Sequence, residues 1–277
     1  MVNEHLGSIL AAVEDVKDVS VSQQAIKKLA ALLADKDLKI PRWDSPVFPE
    51  KIGDFIEFVG VVNSINFCFD NFETGKRFSV EYPEGSGKVW EGSMALAAAF
   101  KRALDEGLPI FDPWYLLRLD EMQLSHILRP KTISIPMFRS RLQHLNNLGR
   151  VLLDRKMNFQ FLLIRHRFSL FSSLYGGYLI DALSSLDCYR DVVFWNVNGR
   201  NHVLRFNKRA YLFALVYYGR ALSSGVNLLL EDPHNILPIT DWRIAQVLRS
   251  FGVLVYSKKL AETVDNRIPL KRESDME

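Results

Sequence analysis

Residues 53–69, GDFIEFVGVVNSINFCF, form the stretch of sequence that decides the fold class. Its apolar side chains recur with the three- and four-residue spacing of a helix, at Phe55, Phe58, Val59, Val62 and Ile65. Strand alternation fits this pattern less well. Because apolar residues also fill most of the intervening positions, the stretch predicts a buried helix that ends before the segment Asn-Phe-Cys-Phe at residues 66–69.

Helical spacing returns along most of the chain, which predicts a mainly α fold. Further helices are predicted over residues 21–35, 93–106, 120–129, 139–156, 159–186, 208–223 and 241–251, the last being the final helix. Residues suited to begin, break or end them are the caps Ser20 or Ser22, Asp120 with Gln123, Asn207 and Thr240, the break Gly176-Gly177 and the stops Gly107 and Gly252.

Two stretches alternate apolar and polar residues around turn-forming residues, which is the pattern of a β-hairpin. One is KRFSVEYPEGSGKVW at residues 76–90, which contains a Gly-rich turn. The other is DVVFWNVNGRNHVLRF at residues 191–206, where Asn198-Gly199 suits the positive φ angles of a type I′ turn. The sequence therefore predicts a compact helical domain with two small β-hairpins, and we expect residues 1–277 to form this single domain.

Composition places the chain among ordinary globular proteins and excludes several classes of function. Hydrophobic residues make up 48% of the sequence and charged residues 24%, close to the globular average. The formal net charge of +3 is too small for a long nucleic-acid footprint, so we expect no direct nucleic-acid partner and allow a small anionic ligand. No apolar run approaches the roughly 20 residues that span a bilayer, and no signal-peptide pattern opens the sequence, so a cytoplasmic location without a membrane partner is expected.

The sequence contains no motif typical of a metal site or a phosphate-binding loop. Cys68 and Cys188 have no spaced Cys or His partner, so no structural zinc is expected and both are interpreted as reduced core residues. The histidines are scattered through different segments. The prediction is therefore a protein without metal ligands.

The segment ITDWRIAQVLRSFGVLVYS at residues 239–257 carries the candidate catalytic group. With Thr240 as the cap, Asp241 would lie in the first turn of a helix, where the helix dipole favours an ionised carboxylate. Such a carboxylate can stabilise positive charge on a sugar or orient an attacking water. From the residues alone, the simpler reading is that Asp241 only completes a helix N-terminus, while Arg243 and Gln246 add polar contacts or lie in solvent.

A second candidate cluster is basic and lies after the second hairpin, at Arg205, Lys208 and Arg209. Cations beside the free N–H groups of a helix start can hold a phosphate, although a solvated basic helix start is an equally good interpretation. Aromatic residues that could stack on a base are Phe67, Phe69, Tyr218 and Trp242. Packing in a helical core is the alternative role of each ring.

Four stretches in this order resemble one protein family: NSINFCFD at 63–70, FKRALDEGLPI at 100–110, RFNKRAYLF at 205–213 and the segment at 239–257. Together with DVSVSQQAIKKLAALL at 18–33 and YRDV at 189–192, they resemble the queuosine salvage protein family over residues 18–275. The resemblance implies a helical fold similar to that of helix-hairpin-helix DNA glycosylases and no metal or organic cofactor. It also implies hydrolysis of the N-glycosidic bond of queuosine 5′-monophosphate, a nucleotide substrate, which releases queuine for tRNA modification.

The resemblance assigns roles to particular residues of this chain. Asp241 matches the family's aspartate and is the expected catalytic carboxylate. The residues expected to bind substrate are Asn66, Phe67, Phe69, Lys208, Arg209, Trp242, Arg243 and Gln246. No prediction follows for the oligomeric state.

The sequence also departs from the family pattern, and two alternatives follow. Asn63 and Val216 stand where the family has aspartates, and Asp70 stands where it has a tryptophan. Ser93-Met94 replaces a Tyr-Trp pair, and relatives continue beyond the last residue, so we expect a shortened member or a pocket closed in another way. The first alternative is a catalytically impaired relative that binds a deazapurine nucleotide or a protein partner. The second is a partner subunit that docks on the C-terminal segment and completes the pocket.

Overall fold

A computed structural model of the chain describes residues 4–171, 178–197, 199–225 and 228–270. The chain divides into two compact units. Unit 1 comprises residues 1–40, 191–208 and 237–277, and unit 2 comprises residues 41–190 and 209–236. That residues 1–277 fold as one domain remains a prediction.

About half of the chain is helical, and the strands described are short antiparallel pairs, which confirms the mainly α class. The helices are α1 Glu4–Val13, α2 Gln23–Ala34, α3 Ile52–Ser64, α4 Gly92–Asp105, α5 Pro113–Arg118, α6 Glu121–Leu128, α7 Phe138–Asp154, α8 Phe159–Arg165, α9 Leu179–Ser184, α10 Lys208–Ser224, α11 Trp242–Ser250 and α12 Lys258–Asp265. The strands are β1 Val19–Val21, β2 Ser79–Glu81, β3 Val89–Glu91, β4 Val192–Val197, β5 Arg200–Arg205 and β6 Leu254–Tyr256.

Helix α3 is the buried helix that the stretch 53–69 predicts. Most of its side chains are buried, and it ends at Ser64, before Asn66, as expected. Helices α4, α7 and α8 contact it within unit 2. Gly60 allows the closest approach, because a Cβ at this position would lie 2.2 Å from the ring of Phe159 in α8. The core of unit 2 is therefore built around α3.

Other predicted elements of unit 2 are confirmed at their ends. Helix α4 is followed by Gly107, whose φ of 79° is the left-handed conformation expected of a stop. Helix α6 begins with a capping box, in which Asp120 and Gln123 each accept the other's backbone N–H. The first hairpin forms between β2 and β3. Helix α5 was not predicted.

The long helix predicted over residues 159–186, with a break at Gly176-Gly177, does not form as predicted. Helix α8 ends at Arg165, and α9 begins only at Leu179. Left-handed φ angles of 50° at Arg167 and 57° at Phe168 explain the stop, because a right-handed helix cannot continue through them. Gly176-Gly177, the predicted break, lies outside the described residues.

Unit 1 contains the second hairpin and one strand pair that was not predicted. Strands β4 and β5 pair from Val192 with Arg205 to Val197 with Arg200, and the hairpin packs on α1. Gly199 has a φ of 75°, and Asn198 lies outside the described residues. Strand β1 pairs with β6, although the two are separated by most of the chain.

Of three predicted helix boundaries in unit 1, Ser22 and Gly252 are confirmed and Asn207 is not. Ser22 is confirmed as the cap of α2, since its side chain accepts the N–H of Ala25. Asn207 precedes α10 but does not cap it, because its Oδ1 has no hydrogen-bond partner among the described residues. The Lys208 N–H instead donates to Asp191 Oδ2 at 3.2 Å. Gly252 ends α11 as predicted, with a φ of 69°.

Helix α11 is not the final helix, because α12 follows strand β6. The cysteine prediction is half correct, since Cys188 is buried and Cys68 is exposed. In the part of the chain that the structure describes, no helix combines the length and the apolar character needed to cross a membrane.

Candidate functional site

Asp241 is the N-terminal cap of α11, which corrects the prediction that Thr240 has this role. Asp241 has an extended backbone, and its Oδ1 accepts the N–H of Arg243 at 3.0 Å. A short carboxylate side chain reaches the free N–H groups of a first turn well, so the residue after Thr240 takes the cap. Its carboxylate is therefore held at the positive end of the helix dipole, one residue outside the helix.

The second carboxylate oxygen of Asp241 faces a lysine. Lys208 Nζ lies 3.5 Å from Asp241 Oδ2, and the side chains of Lys208 and Asp241 are 35% and 40% exposed. The Asp191 carboxylate fixes the backbone of Lys208 at the start of α10. An ammonium group and a carboxylate that are both open to solvent can each exchange their partner for a charged ligand.

The other residues predicted on α11 lie on an exposed helix. Trp242 is 51% exposed, so packing in the core is not its role. Arg243 places its Cζ 5.2 Å from the centroid of the Trp242 ring. Gln246 is exposed one turn further along. These side chains are available to a ligand.

A second group of predicted residues lies in unit 2, on the turn that follows α3. Asn66 Nδ2 donates to Asn63 Oδ1 at 3.1 Å, and Phe69 is buried. The ring of Phe67 is half-buried and has Arg209 beside it, with the Arg209 Cζ 5.2 Å from the ring centroid. Arg209 Nη1 also donates to the Ser64 carbonyl at 2.9 Å, which ties the start of α10 to the end of α3.

Arg141 belongs to this turn and was missed by the sequence reasoning. Its side chain is fully buried, and its guanidinium lies 4.3 Å from the Phe67 ring centroid and 5.2 Å from that of Phe69. Burial lowers the pKa of Arg141 to about 9, so the group remains charged at neutral pH. The available signal was a charged residue on the apolar stripe of α7, in line with Leu145 and Leu148.

His144, one turn further along α7, meets the Phe67 ring edge-on, with the ring centroids 5.7 Å apart. Burial, followed by the positive charge of Arg209, lowers the pKa of His144. The imidazole is therefore neutral at neutral pH and offers one donor and one acceptor. It was among the scattered histidines to which the sequence gave no role.

The positions that depart from the family pattern are resolved as well. Val216, in α10, and Asn63 are each 4% exposed. Because they are a valine and an asparagine, neither of these buried positions supplies a carboxylate. The side-chain Nδ2 of Asn63 is buried without a hydrogen-bond partner among the described residues. Asp70 forms an ion pair with Arg77 at 3.1 Å.

The predicted site residues thus form two local groups. Lys208, Asp241, Trp242, Arg243 and Gln246 belong to unit 1. Asn66, Phe67, Phe69 and Arg209 belong to unit 2.

The predicted site residues do not line the cleft that the structure describes, and they do not form a cluster of metal ligands. A cleft of about 330 Å³ in unit 2 is lined by residues such as Arg155, Phe161, Arg165 and Tyr178 and contains none of the predicted residues. Its lining also includes His166 and Asp181. Among the residues that the structure describes, no three His, Cys, Asp or Glu side chains lie together as metal ligands would.

These features define a mainly helical protein with candidate binding groups for a small anionic ligand in each unit. The queuosine salvage protein family matches residues 48–277 of the chain. The chain therefore belongs to the queuosine salvage protein family.

Individual relatives are similar over most of the chain. The queuosine 5′-phosphate N-glycosylase/hydrolase of Sphaerobacter thermophilus is 26% identical over 260 residues, which cover 92% of this chain and 74% of the relative. The protein of the same name from Bos taurus is 28% identical over 257 residues, covering 90% and 72%. That of Schizosaccharomyces pombe is 27% identical over 260 residues, covering 87% and 71%.

Proposed function

We propose that this chain is a hydrolase that cleaves the N-glycosidic bond of queuosine 5′-monophosphate and releases queuine and ribose 5-phosphate. Membership of the family and the names of the relatives support this reaction. The observation that carries the residue assignment is the partly exposed pair of Asp241 and Lys208, whose charged atoms are 3.5 Å apart.

Asp241 is the catalytic carboxylate in this proposal. Cleavage of the C1′–N9 bond leaves positive charge on the ribose, and an ionised carboxylate near the ring lowers the energy of that state. The same carboxylate can accept a proton from the water that attacks C1′. Oxygen from this water ends on C1′ of ribose 5-phosphate, and one hydrogen ends on the base, so the reaction needs no oxidant or reductant.

The leaving base makes strong stabilisation of the transition state necessary. A 7-deazapurine has carbon in place of the ring nitrogen at which ordinary purines are protonated on departure. The electron pair of the broken bond therefore stays on N9 until a proton arrives. The site must therefore stabilise this charge until a proton reaches the base.

The remaining predicted residues would bind the substrate. Lys208 and Arg209 are proposed to bind the phosphate, since ammonium and guanidinium groups are the usual partners of phosphate oxygens. Phe67 and Trp242 are proposed to stack on the base, and the 51% exposure of Trp242 supports this role. Asn66, Phe69, Arg243 and Gln246 are proposed as walls and polar contacts.

The finer description of the fold is part of the same proposal. We propose one domain similar in architecture to the helix-hairpin-helix DNA glycosylases, working in the cytoplasm on a free nucleotide without contact to nucleic acid and without a metal or organic cofactor. The described helices and hairpins are compatible with it.

A catalytically impaired relative that binds a deazapurine nucleotide or a protein partner is the second candidate. It is favoured by Val216 and Asn63, which are buried and lack the carboxylates of the family at these positions. A chain of this kind would be stabilised by the nucleotide and would release no queuine.

The test is an incubation of the purified chain with queuosine 5′-monophosphate in metal-free buffer, with free queuine followed by chromatography. Asp241→Asn keeps a cap at the start of α11 and removes the charge, so the rate should fall by about 10² to 10⁴. Asp112→Asn is the matched control, because Asp112 caps α5 by accepting the Trp114 N–H at 2.9 Å and has no proposed role. No release from a folded wild-type chain would contradict the proposed reaction.

A further inference from the structure

The turn between α3 and β2 is held by one buried side chain from another helix. The guanidinium of Arg141, in α7, donates to the backbone carbonyls of Ile65, Phe67 and Cys68, the last at 2.5 Å. Its Nε donates to the Pro136 carbonyl at 3.1 Å. All the donor atoms of this guanidinium are therefore engaged with backbone oxygens.

The end of α3 leaves carbonyl groups that Arg141 can bind, although the Ile65 carbonyl also accepts the Phe67 N–H at 3.1 Å inside the turn. The last carbonyl groups of a helix have no intrahelical donor, and Ile65 is the C-terminal cap of α3. Cys68 has a φ of 44°, a left-handed conformation that an L-residue adopts at a cost. The hydrogen bonds from Arg141 offset this cost, since they are charge-assisted and directed at the residues on both sides of Phe67.

The charge of Arg141 is balanced without an acidic partner. No carboxylate among the described residues forms an ion pair with it, and its side chain is fully buried. The carbonyl dipoles, the negative end of the α3 dipole and the faces of Phe67 and Phe69 take the place of a carboxylate. Burying a cation costs free energy unless hydrogen bonds and dipoles stabilise it. The carbonyls and rings around Arg141 stabilise it only while the turn keeps this one conformation.

We infer that Arg141 is a positioning residue, which fixes the turn at residues 65–68 so that the Phe67 ring and the Asn66 amide are presented to the nucleotide base. Arg141 does not touch substrate in this inference, because its side chain is fully buried and each of its three nitrogen atoms already donates to a backbone carbonyl. The inference rests on the proposed function for the identity of the ligand, and on the contacts above for the role of Arg141.

Arg102 provides a matched control for a merely structural buried arginine. It is 7% exposed in α4 and donates to the carbonyls of Ile127 and Leu128, at 3.1 and 3.3 Å, where α6 ends. It thus binds the end of a helix in the same way and also donates to the Glu81 carbonyl at 3.4 Å, and none of these hydrogen bonds reaches the turn at residues 65–68. Replacement of either arginine by lysine keeps the charge and loses the fork of donors.

The experiment compares Arg141→Lys with Arg102→Lys in two readouts. For queuine release, Arg141→Lys should lower kcat/KM by about 10- to 100-fold, mainly by raising KM, because a displaced ring weakens binding of the base. Arg102→Lys should lower thermal stability and leave kcat/KM unchanged. In the second readout, the rate at which a thiol reagent modifies Cys68 should change several-fold in Arg141→Lys only, since Cys68 is exposed on the turn and Cys188 is buried.

The possible outcomes separate the two claims. An inactive wild-type chain would contradict the proposed function, and the thiol readout would still test whether Arg141 holds the turn. Equal kcat/KM losses in the two lysine variants, no loss in Arg141→Lys, or an unchanged rate at Cys68 would overturn the positioning role. If Arg141→Lys does not fold, Phe69→Leu takes its place, because it removes one ring from the guanidinium and keeps the carbonyl contacts. It should alter the rate at Cys68, and an unchanged rate would overturn the inference; KM does not decide the outcome for this variant, because Phe69 is itself a proposed wall of the binding site.

Discussion

Asp241 uses its two carboxylate oxygens for different tasks. One oxygen accepts the Arg243 N–H and starts α11, while the other faces Lys208. The residue pattern left a choice between a helix-terminal and a catalytic role for this side chain. The geometry allows both at once, because the cap occupies only one oxygen.

The capping and catalytic tasks of Asp241 can be separated by two substitutions. Asp241→Ala should lower the free energy of unfolding by about 0.5–2 kcal/mol, whereas Asp241→Asn should change it by a few tenths, since asparagine caps as well as aspartate. The ion pair with Lys208 adds little to this difference, because both side chains are partly exposed. Both variants should lose queuine release. Urea unfolding of both variants is the measurement, and equal destabilisation would show that the cap is not what Asp241 contributes.

How far single residues can be predicted from sequence depends on whether their role is local. Asp241 could be found because a cap and its helix are neighbours in sequence. Arg141 could not be given its role, because the carbonyls it binds lie more than 70 residues earlier in the chain, with sequence separations of 73 to 76. Its position on an apolar stripe marks it only as unusual.

At the scale of elements, α3 and α8 depend on close contact at one glycine. Gly60→Ala should lower the free energy of unfolding by about 1–3 kcal/mol, because a Cβ would lie 2.2 Å from the Phe159 ring in a packed core. Gly53→Ala, in the same helix, is the control. Its Cβ would meet the far end of the Gln160 side chain, with the amide oxygen at 3.1 Å, so its cost should be smaller. Chemical denaturation of the pair measures the difference, and similar costs would argue against tight packing of α3 on α8.

The same two helices are joined by a buried carboxylate whose stability contribution depends on pH. Glu57 accepts the N–H groups of Phe159 and Gln160 at the start of α8, at 3.2 and 2.9 Å. Burial raises the pKa of Glu57 above its ordinary value of 4.5, and the backbone donors only partly oppose this. Folding therefore favours the protonated form. The free energy of unfolding should fall as pH rises from about 4.5 through the folded-state pKa, and stay level above it.

Glu57→Gln removes this titration and is the control for it. The stability of the wild-type chain relative to Glu57→Gln should decrease across the same pH window, as measured by urea unfolding between pH 4 and pH 8. A difference that does not change with pH would mean that burial does not shift this group.

Elements with local patterns were predicted and elements with distant partners were not. The buried α3, the capping box of α6 and the two hairpins follow from spacing within a few residues. Strands β1 and β6 are three residues each and pair only with one another, so neither has a recognisable pattern of its own. The split between α8 and α9 arises from backbone conformation at Arg167 and Phe168, which apolar spacing does not report.

At the scale of the whole molecule, binding of the nucleotide should be visible as added stability. Asp241→Asn should slow turnover by about 10² to 10⁴. Queuosine 5′-monophosphate at 100 times its Kd should therefore raise the free energy of unfolding of this variant by about 2.7 kcal/mol. Queuosine without the phosphate should bind more weakly if Lys208 and Arg209 hold the phosphate. Thermal unfolding with each compound is the measurement, and equal shifts would remove the phosphate role from these two residues.

The reaction should also proceed without a metal ion. The proposed mechanism uses only side chains and water. Treatment of the purified chain with EDTA should therefore leave the rate of queuine release unchanged. A loss of activity that added zinc or magnesium restores would overturn the mechanism and leave the family assignment intact.

The pairing of β1 with β6 also sets an order of events during synthesis on the ribosome. Val19–Val21 leaves the ribosome early, but its partner Leu254–Tyr256 is made only after most of the chain, and Ser22 must likewise wait for the carbonyl of Val253. At about 5–20 residues per second this delay lasts roughly 10 to 50 s. Strand β1 therefore stays unpaired until Leu254–Tyr256 has been made, and during this interval the nascent chain presents an unpaired strand edge to chaperones or to neighbouring nascent chains.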